Sequence, residues 1–323
     1  MNWKGRRVFV TGGAGFIGSH LVGRLANLGA SLGLFIHINE TPVSAKRHYG
    51  NLSEFPNNLI HFLRRFDPEI IFHLAAQPLV TVALGDEVET FRTNVDGTYN
   101  LLHACRELKN LRAFVHVSTD KVYGEYEEPV LESMELRGVK HPYNSSKLCG
   151  DAIAQTYAHS YGLPVIISRS GNIYGAGDKN FSRLVPGTVL ATLKGENLVV
   201  RSDGKMIRDY IHVDDIVDGY LLLAEVIAKN RKWAGRAINF GAKEPLSVLD
   251  VVHEVLGEMN RIDLRPQIEN TAKLEIPYQH LDWGLAKGLG WEPKTDLQSG
   301  LKKTIPWYVE MYKNEKKTSN VFV

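Results

Sequence analysis

The sequence predicts an α/β protein with a doubly wound parallel sheet and a second, smaller α/β lobe. Three observations lead to this fold class. Apolar runs alternate with helical patterns through the first half of the chain, which is typical of parallel sheets with right-handed crossovers. The first apolar run breaks into glycines and continues as a helix over 8–18. The runs 70–74 and 114–117 each lead into small or hydroxylic residues, where an open parallel sheet binds its ligand.

The elements of the large domain follow from apolar and amphipathic patterns taken in chain order. Uninterrupted apolar runs predict buried strands over residues 6–11, 31–38, 70–74, 112–117 and 163–168. A further short strand is predicted near 48–52. Amphipathic patterns predict helices over residues 15–28, 58–66, 88–108 and 143–161. Gly29 ends the first of these helices, and Asp67 with Pro68 ends the second.

The regular alternation of predicted strands and helices ends after Ser168, which indicates a second lobe. Shorter helices are predicted over residues 184–193, 247–259, 282–289 and 300–312. We expect residues 1–170 to form the large domain, with returns of the chain near 209–228 and 236–241. Residues 171–208 and 242–315 would form the smaller lobe and close over the crevice.

Composition narrows the classes of partner and compartment. The chain has 323 residues, 38 basic against 36 acidic residues and 44% hydrophobic residues, so a large core is expected and a nucleic-acid surface is not. Cys105 and Cys149 lie in apolar helical patterns, which disfavours disulfides and zinc. Without a secretory or membrane-spanning run, we expect a cytoplasmic protein and no membrane partner.

The first glycine turn carries the pattern Gly-x-x-Gly-x-x-Gly at Gly12, Gly15 and Gly18. Backbone N–H groups at such a turn point along a helix dipole and can bind a pyrophosphate, although a tight turn without ligand has the same sequence. An acid at the end of the second strand usually binds the ribose of NAD. Here that acid is absent or displaced to Glu40, and Lys46 and Arg47 follow, so the choice between NAD and NADP stays open, with NAD preferred.

Tyr143 and Lys147 stand four residues apart, on one face of a predicted helix. A nearby cation favours the phenolate and lowers the pKa of a tyrosine, so this pair can act as a base near neutral pH. Alone, the spacing also fits an ordinary exposed helix face. Ser118 and Thr119 at the preceding strand end favour the catalytic interpretation.

Together these residues resemble the extended, nucleotide-sugar-modifying branch of the short-chain dehydrogenase/reductase superfamily. The resemblance covers residues 6–312. The segments that carry it are 11–18, 73–77, the pair Tyr143 and Lys147, 171–175 and 208–215.

The resemblance implies NAD as cofactor, a Rossmann-type NAD-binding domain and a nucleotide-diphosphate sugar as substrate. The residues it assigns to the cofactor are Gly12, Gly15, Phe16, Ile17, Gly18, Leu74, Ala75, Ala76, Asn94, Ser118, Tyr143 and Lys147. Thr119 and Tyr143 would hold the sugar 4-hydroxyl, and Lys147 would bind the nicotinamide ribose. The residues it assigns to the substrate are Gln77, Asn172, Arg183 and Arg208.

Asp120 and Lys121 depart from the pattern of sugar 4-epimerases in this branch, which carry small residues after the hydroxyl residue. A 4,6-dehydratase needs a base for the C5 proton and an acid for the C6 hydroxyl. The Asp–Lys pair resembles CDP-glucose 4,6-dehydratases and some UDP-N-acetylglucosamine 4,6-dehydratases. We therefore assign Asp120 as acid and Lys121 as base, against the alternative of a solvated pair or a structural salt bridge.

The predicted function is an NAD-dependent 4,6-dehydratase acting on CDP-glucose or a related NDP-glucose. A 4-epimerase and a cofactor-sensing binding protein without turnover are the alternatives. The resemblance also implies a homodimer formed through helices 88–108 and 143–161. We predict no metal site, because Asp214, in the run that includes His212 and Asp215, can cap a helix instead.

Overall fold

A seven-stranded, all-parallel sheet forms the centre of the computed structural model, which describes residues 1–36, 44–54, 57–271 and 275–319. The strands, in chain order, are β1 (Arg7–Thr11), β2 (Ser31–Ile36), β3 (Lys46–Tyr49), β4 (Ile70–His73), β5 (Ala113–Val117), β6 (Val165–Ser170), β7 (Asn172–Tyr174), β8 (Val199–Val200), β9 (Ile207–Arg208), β10 (Tyr210–His212), β11 (Ala237–Phe240), β12 (Leu246–Ser247) and β13 (Gln267–Ile268).

Helices cover both faces of this sheet. They are α1 (Phe16–Asn27), α2 (Asn57–Phe66), α3 (Val80–Gly85), α4 (Glu87–Phe91), α5 (Gly97–Cys105), α6 (Pro142–Tyr161), α7 (Leu184–Lys194), α8 (Val213–Lys229), α9 (Val248–Glu258), α10 (Gly284–Gly288) and α11 (Leu297–Ser319). A π-helical turn spans Arg92–Asp96, and 3₁₀ turns span Asp120–Tyr123 and Arg231–Trp233.

The strand order is β11-β6-β5-β4-β1-β2-β3, which confirms the predicted doubly wound, Rossmann-type sheet. The order reverses between β1 and β4, so the loops after these strands separate and leave a crevice at their carboxyl ends. One apolar core lies on the face covered by α1 and α8, and a second on the face covered by α2, α5 and α6. These two cores fix the strand ends that carry the predicted site residues.

Residues after β6 contribute a separate, smaller core. It contains Tyr174, Val189, Val255, Leu301 and Tyr308, drawn from β7, α7, α9 and α11. Short strand pairs, β7 with β10, β9 with β12 and β8 with β13, connect the loops of this part. The chain returns to the main sheet where β11 pairs in parallel with β6.

The predicted helix over 88–108 is present as a continuous helical segment over 87–105, and it differs from the prediction in its earlier end and in the π-helical turn that it contains. The structure has α4, the π-helical turn and α5 in its place, with the additional helix α3 before them. Asp86 separates α3 from α4, because its carboxylate accepts a hydrogen bond from Glu89 N–H and caps the start of α4. The predicted capping role of Asp214 is wrong, since His212 caps α8. The end of the predicted strand 31–38 and Glu40 lie outside the described residues.

No helix within the described ranges is long and apolar enough to cross a membrane. In the same part of the chain, no group of three or more His, Cys, Asp or Glu side chains is arranged to hold a metal ion.

Candidate active site

The glycine turn between β1 and α1 brings the backbone to within contact of the neighbouring strand end. Gly12 has a φ of +70°, and a Cβ there would lie 2.7 Å from the Ala75 nitrogen. A Cβ on Gly18 would overlap the Gly12 carbonyl. The N-cap of α1 is Gly15, which has no side-chain cap, and the first turn of the helix has no acidic residue. Its first N–H groups therefore remain available to an anion.

The loop after β4 is fixed by side chains rather than left open. Leu74 N–H donates to the Thr11 carbonyl at 3.2 Å, beside Ala75 and Ala76. The Asn94 amide joins this loop to α6: its Nδ2 donates to the Gln77 carbonyl at 3.1 Å and to Ser146 Oγ at 2.9 Å. The Gln77 amide binds Leu79 and Thr90. Asn94 and Gln77 thus shape the loop, and their predicted ligand contacts stay predictions.

Tyr143 and Lys147 are both buried on α6, as the spacing predicts for residues on one helix face. Lys147 Nζ donates to the Val117 carbonyl at 2.6 Å. Burial lowers the pKa of Lys147 to about 8, and the charge of Asp151 opposes this shift. Ser118, next to Val117, has a buried Oγ without a hydrogen-bond partner among the described residues.

The expectation of a lowered tyrosine pKa is wrong for this structure. Burial, followed by the Asp120 charge, raises the pKa of Tyr143 to about 12, while Arg183 and the Thr119 hydroxyl act in the opposite direction. Burial is the largest cause of the raised pKa, and the Lys147 ammonium donates to the Val117 carbonyl. The phenol is therefore protonated at neutral pH.

Thr119, Asp120 and Lys121 form a connected group at the end of β5. Thr119 Oγ1 donates to Asp120 Oδ1 at 2.9 Å. Gln279 lies between the other two: its Nε2 donates to Asp120 Oδ2 at 3.0 Å, and Lys121 Nζ donates to its Oε1 at 3.1 Å. Thr119, Asp120 and Gln279 are buried. Asp120 and Thr119 both act on the pKa of Tyr143, so the acid and the phenol lie close together, and Gln279 brings the Lys121 amine beside the acid.

A buried ion pair holds the elements that carry these residues. Arg169 on β6 donates from Nε to Asp151 Oδ2 on α6 at 2.8 Å, and from Nη1 to the Tyr123 hydroxyl at 2.8 Å. Tyr123 ends the 3₁₀ turn that begins at Asp120. The pair therefore ties the helix of Tyr143 and Lys147 to the turn of Asp120 and Lys121.

His141 and Gln279 belong to this region and were missed by sequence reasoning. The N-cap of α6 is His141, whose Nδ1 accepts from Tyr143 N–H at 3.1 Å. Burial and the Lys121 charge lower the pKa of His141, and Glu275 opposes them. Histidine is not among the preferred N-cap residues, and Gln279 lies 158 positions from Lys121, so no local pattern indicated either residue.

The structure distributes the predicted substrate residues around this cleft. Asn172 begins β7, next to β10. Arg183, before α7, acts on the pKa of Tyr143 and forms an ion pair with Asp178 at 2.9 Å. Arg208 Nη2 lies 3.2 Å from Glu275 Oε2. Both arginines are therefore paired with carboxylates in the same cleft region.

A match to a family model shows which protein family this chain belongs to. The model of the NAD dependent epimerase/dehydratase family matches residues 8–241, more than half of the chain. The chain belongs to this family. NAD is accordingly its cofactor, as the resemblance implied.

Two curated relatives of this epimerase/dehydratase chain are 4,6-dehydratases. A trifunctional UDP-glucose 4,6-dehydratase, epimerase and reductase of Arabidopsis thaliana is 30% identical over 94% of this chain and 47% of its own length. The chain thus spans about half the length of this plant relative. The CDP-glucose 4,6-dehydratase of Salmonella typhimurium is 29% identical over 97% of this chain and 93% of its own.

Solved structures of both activities resemble this member of the family. A dTDP-glucose 4,6-dehydratase of Streptomyces venezuelae with NAD and TYD bound has a TM-score of 0.83 at 29% identity, covering 94% of this chain and 97% of that one. A UDP-glucose 4-epimerase of Thermotoga maritima with UDP-glucose has a TM-score of 0.85 at 26% identity, covering 94% and 99%.

The residues present fit NAD. The uncapped start of α1 leaves its first N–H groups available to a diphosphate, and Gly12 lets the turn pack closely against the end of β4. The Ser118 hydroxyl, which has no partner among the described residues, and the buried Lys147 ammonium supply polar groups at the end of β5. Phe16 and Ile17 present backbone N–H groups in the first turn of α1.

Proposed function

We propose that this chain is an NAD-dependent 4,6-dehydratase that converts CDP-glucose or a related NDP-glucose to the 4-keto-6-deoxy sugar. The observation that carries the proposal is the buried group of Thr119, Asp120, Gln279 and Lys121 beside Tyr143. A hydroxyl, a carboxyl and an amine beside a phenol are what oxidation at C4 and loss of water across C5 and C6 require.

In this proposal Tyr143 takes the proton of the sugar 4-hydroxyl, and Thr119 holds the same oxygen. The raised pKa of Tyr143 means that its proton must be drawn off by positive charge in the complex. NAD supplies the hydride acceptor at C4 and later the donor at C6, and its oxidised ring carries such a charge. Lys147 holds the cofactor ribose.

Water elimination is assigned to Asp120 and Lys121. Once C4 is a ketone, the C5 proton is acidified, and Lys121 in its amine form removes it. Asp120 in its acid form protonates the C6 hydroxyl, which leaves as water. General acid and base catalysis of this kind contributes about 10²–10⁴-fold each.

Substrate binding is assigned to the residues around the cleft. Arg208 would exchange Glu275 for a phosphate of the nucleotide diphosphate, because its planar guanidinium donates in parallel to two oxygens. Arg183 and Asn172 would contact the diphosphate and the sugar, with Gln77 at the loop after β4. In this proposal residues 1–170, with the returns of the chain near 209–228 and 236–241, bind NAD, and residues 171–208 and 242–315 bind substrate.

A 4-epimerase is the second candidate, favoured by the similarity to the UDP-glucose 4-epimerase. Epimerisation needs Tyr143 and Thr119 but neither Asp120 nor Lys121. A homodimer and a cytoplasmic location complete the proposal, and the two unpaired cysteines support a reducing compartment.

The proposal is tested by incubating the purified enzyme with CDP-, UDP-, dTDP- and GDP-glucose and analysing the products by mass spectrometry. We expect a product lighter by one water with a ketone absorbance in alkali. Asp120→Asn and Lys121→Met should each still reduce bound cofactor but lose product formation by about 100-fold or more. A product of unchanged mass, formed equally by both variants, would identify an epimerase.

A further inference from the structure

His141 has one ring nitrogen that is hydrogen-bonded and one that is not. It is the N-cap of α6 and is 3% exposed, and its Nδ1 accepts from Tyr143 N–H at 3.1 Å. Burial lowers the pKa of His141, so the ring is neutral at neutral pH, with its proton on Nε2 because Nδ1 accepts. Nε2 is buried without a hydrogen-bond partner among the described residues. His141 therefore presents a buried donor that lacks an acceptor in this part of the protein.

Asn144 presents a buried acceptor close to this donor. It is 6% exposed, and its Oδ1 likewise has no partner in the part of the chain that the structure describes. Asn144 is the third residue of α6, and the side chains of an N-cap and of the third helical residue lie on the same side of a helix start, as in a capping box. Burying either group without a partner costs free energy. A ligand group that satisfies both would therefore be stabilised here.

Side chains on this face of α6 are turned towards the 3₁₀ turn that carries Lys121. Leu148, further along α6 on the same face, packs against the apolar cluster that contains Val122 of that turn. The charges of Glu275 and Lys121 both act on His141. The donor and the acceptor therefore lie on the Lys121 side of the cleft, between α6 and the turn.

The backbone around His141 is held independently of its side chain. Gly138 N–H donates to the Val122 carbonyl at 2.9 Å, and Ser145 N–H donates to the His141 carbonyl at 3.0 Å. A Cβ on Gly138 would overlap the Lys121 carbonyl, so the segment before α6 packs closely on the 3₁₀ turn. A substitution that keeps the helix cap should therefore leave the start of α6 in place.

A hydroxyl is the ligand group that matches this pair. Its oxygen can accept from His141 Nε2–H while its proton is donated to Asn144 Oδ1. A phosphate oxygen of a diphosphate only accepts, so it would leave Asn144 without a donor, and an ammonium would leave His141 without an acceptor. A hexose has hydroxyls at C2, C3 and C6 besides the C4 hydroxyl that the proposed function assigns to Tyr143 and Thr119.

We infer that His141 and Asn144 form a hydroxyl-binding site for the sugar of the substrate, with His141 donating and Asn144 accepting. The inference rests on the proposed function, which supplies a nucleotide sugar as ligand, and it adds two residues that determine specificity for the sugar. Glu275, whose charge acts on His141, is the carboxylate that a phosphate would replace at Arg208. Binding of the diphosphate would therefore remove a charged neighbour of His141 as the sugar enters.

The test is calorimetric titration of the NAD-loaded protein with CDP and with CDP-glucose, or with the same pair for whichever nucleotide the product assay identifies. Every titration uses a Tyr143→Phe parent, so that no turnover occurs. His141→Asn keeps the cap, because asparagine is a preferred N-cap, but its side chain is too short to replace Nε2–H. We expect it to bind CDP-glucose about 10-fold more weakly, with CDP affinity and unfolding temperature unchanged.

Three further variants separate binding from stability. Asn144→Ala should show the same selective loss of CDP-glucose affinity, because it removes the acceptor. His141→Ala should lose CDP-glucose affinity and also unfold at a lower temperature, because it removes the cap as well as the donor. His159→Asn, at an exposed position of the same helix, is the matched control and should bind both ligands as the parent does.

Deoxy analogues of CDP-glucose at C2, C3 and C6 identify the hydroxyl. The analogue that lacks it should bind the parent and His141→Asn equally well, because the contact is already lost. The inference is overturned if His141→Asn binds CDP-glucose as tightly as the parent, if CDP and CDP-glucose lose affinity by the same factor, or if no analogue removes the difference. If the parent binds no NDP-glucose at all, the proposed function fails first, and the two failures are thereby distinguished.

Discussion

Lys147 is an ammonium buried in the cleft beside the backbone of β5, and its burial has a cost that depends on pH. Its pKa is about 8 in the folded protein and 10.5 when solvated. Between these values the unfolded chain binds the proton and the folded chain does not, so stability rises with pH through this window. Below pH 8 the full cost of burying the charge is present.

Replacing Lys147 with Met should remove this dependence. We expect the free energy of unfolding of the wild type, relative to Lys147→Met, to rise by at most about 3 kcal/mol between pH 8 and 10.5. Urea unfolding at several pH values measures it. Tyr143→Phe is the control and should keep the rise up to pH 10. A difference in unfolding free energy that stays constant with pH would contradict the lowered pKa of Lys147 in the folded protein.

Residues that follow a local rule were predictable from the sequence. Tyr143 and Lys147 share a helix face by spacing, and Thr119, Asp120 and Lys121 follow the end of β5. Their meeting depends on parallel strands ending at one sheet edge, which the fold class already contains. The bridging amide of Gln279 and the raised pKa of Tyr143 were not predictable. Both depend on which side chains are brought together by segments that are distant in sequence.

At the scale of elements, the turn from β1 into α1 depends on the absence of side chains at two points. Gly18 packs against the Gly12 carbonyl, whereas Gly23, five residues later on the same helix, faces open space. The two glycines therefore offer a matched comparison within α1.

Gly18→Ala should force the helix away from the turn, destabilise the protein by about 1–3 kcal/mol and weaken NAD binding at least 10-fold. Gly23→Ala should stabilise α1 by about 0.5–1 kcal/mol with NAD affinity unchanged. Urea unfolding and calorimetric titration with NAD give both quantities. Equal NAD affinity in the two variants would show that this turn does not hold the cofactor.

Predictions of elements were accurate where one physical signal dominated. Buried strands such as β4 and β5 appear as unbroken apolar runs, and α6 ends at Gly162 in a left-handed conformation. The region after Gly85 was not predictable in detail. Its apolar pattern continues through Asp86 and the π-helical turn, which start and shift the helix through local hydrogen bonds.

At the scale of the molecule, the proposed homodimer has a candidate surface on α5 and α6. Tyr99 and Tyr161 are 45% and 49% exposed there, and the Tyr157 ring contacts both of them, the first edge-on and the second at a tilt. Exposed aromatic side chains on adjacent helices are typical of protein interfaces.

Tyr99→Glu combined with Tyr161→Glu should therefore dissociate the dimer, because four carboxylates would face one another across a twofold interface. Sedimentation velocity should show an at least 10-fold weaker dimer, or a monomer. Tyr49→Glu, at an exposed tyrosine on β3, should leave assembly unchanged. A dimer unaffected by the double substitution would place the interface elsewhere.

The global arrangement was the most predictable level, because alternation of strand and helix fixes a doubly wound sheet. The pairing of β9 with β12 and of β8 with β13 was not predictable, since two-residue strands carry no periodic signal. These pairs matter for the site, because β9 lies beside the segment that carries Gln279.

The central claim is that C4 is oxidised and C6 is reduced within one active site. Turnover of NDP-glucose carrying deuterium at C4 tests it directly, with the label located by nuclear magnetic resonance. We expect the deuterium at C6 of a 4-keto-6-deoxy product. Deuterium retained at C4 of a hexose with inverted configuration would contradict the dehydratase account and identify an epimerase.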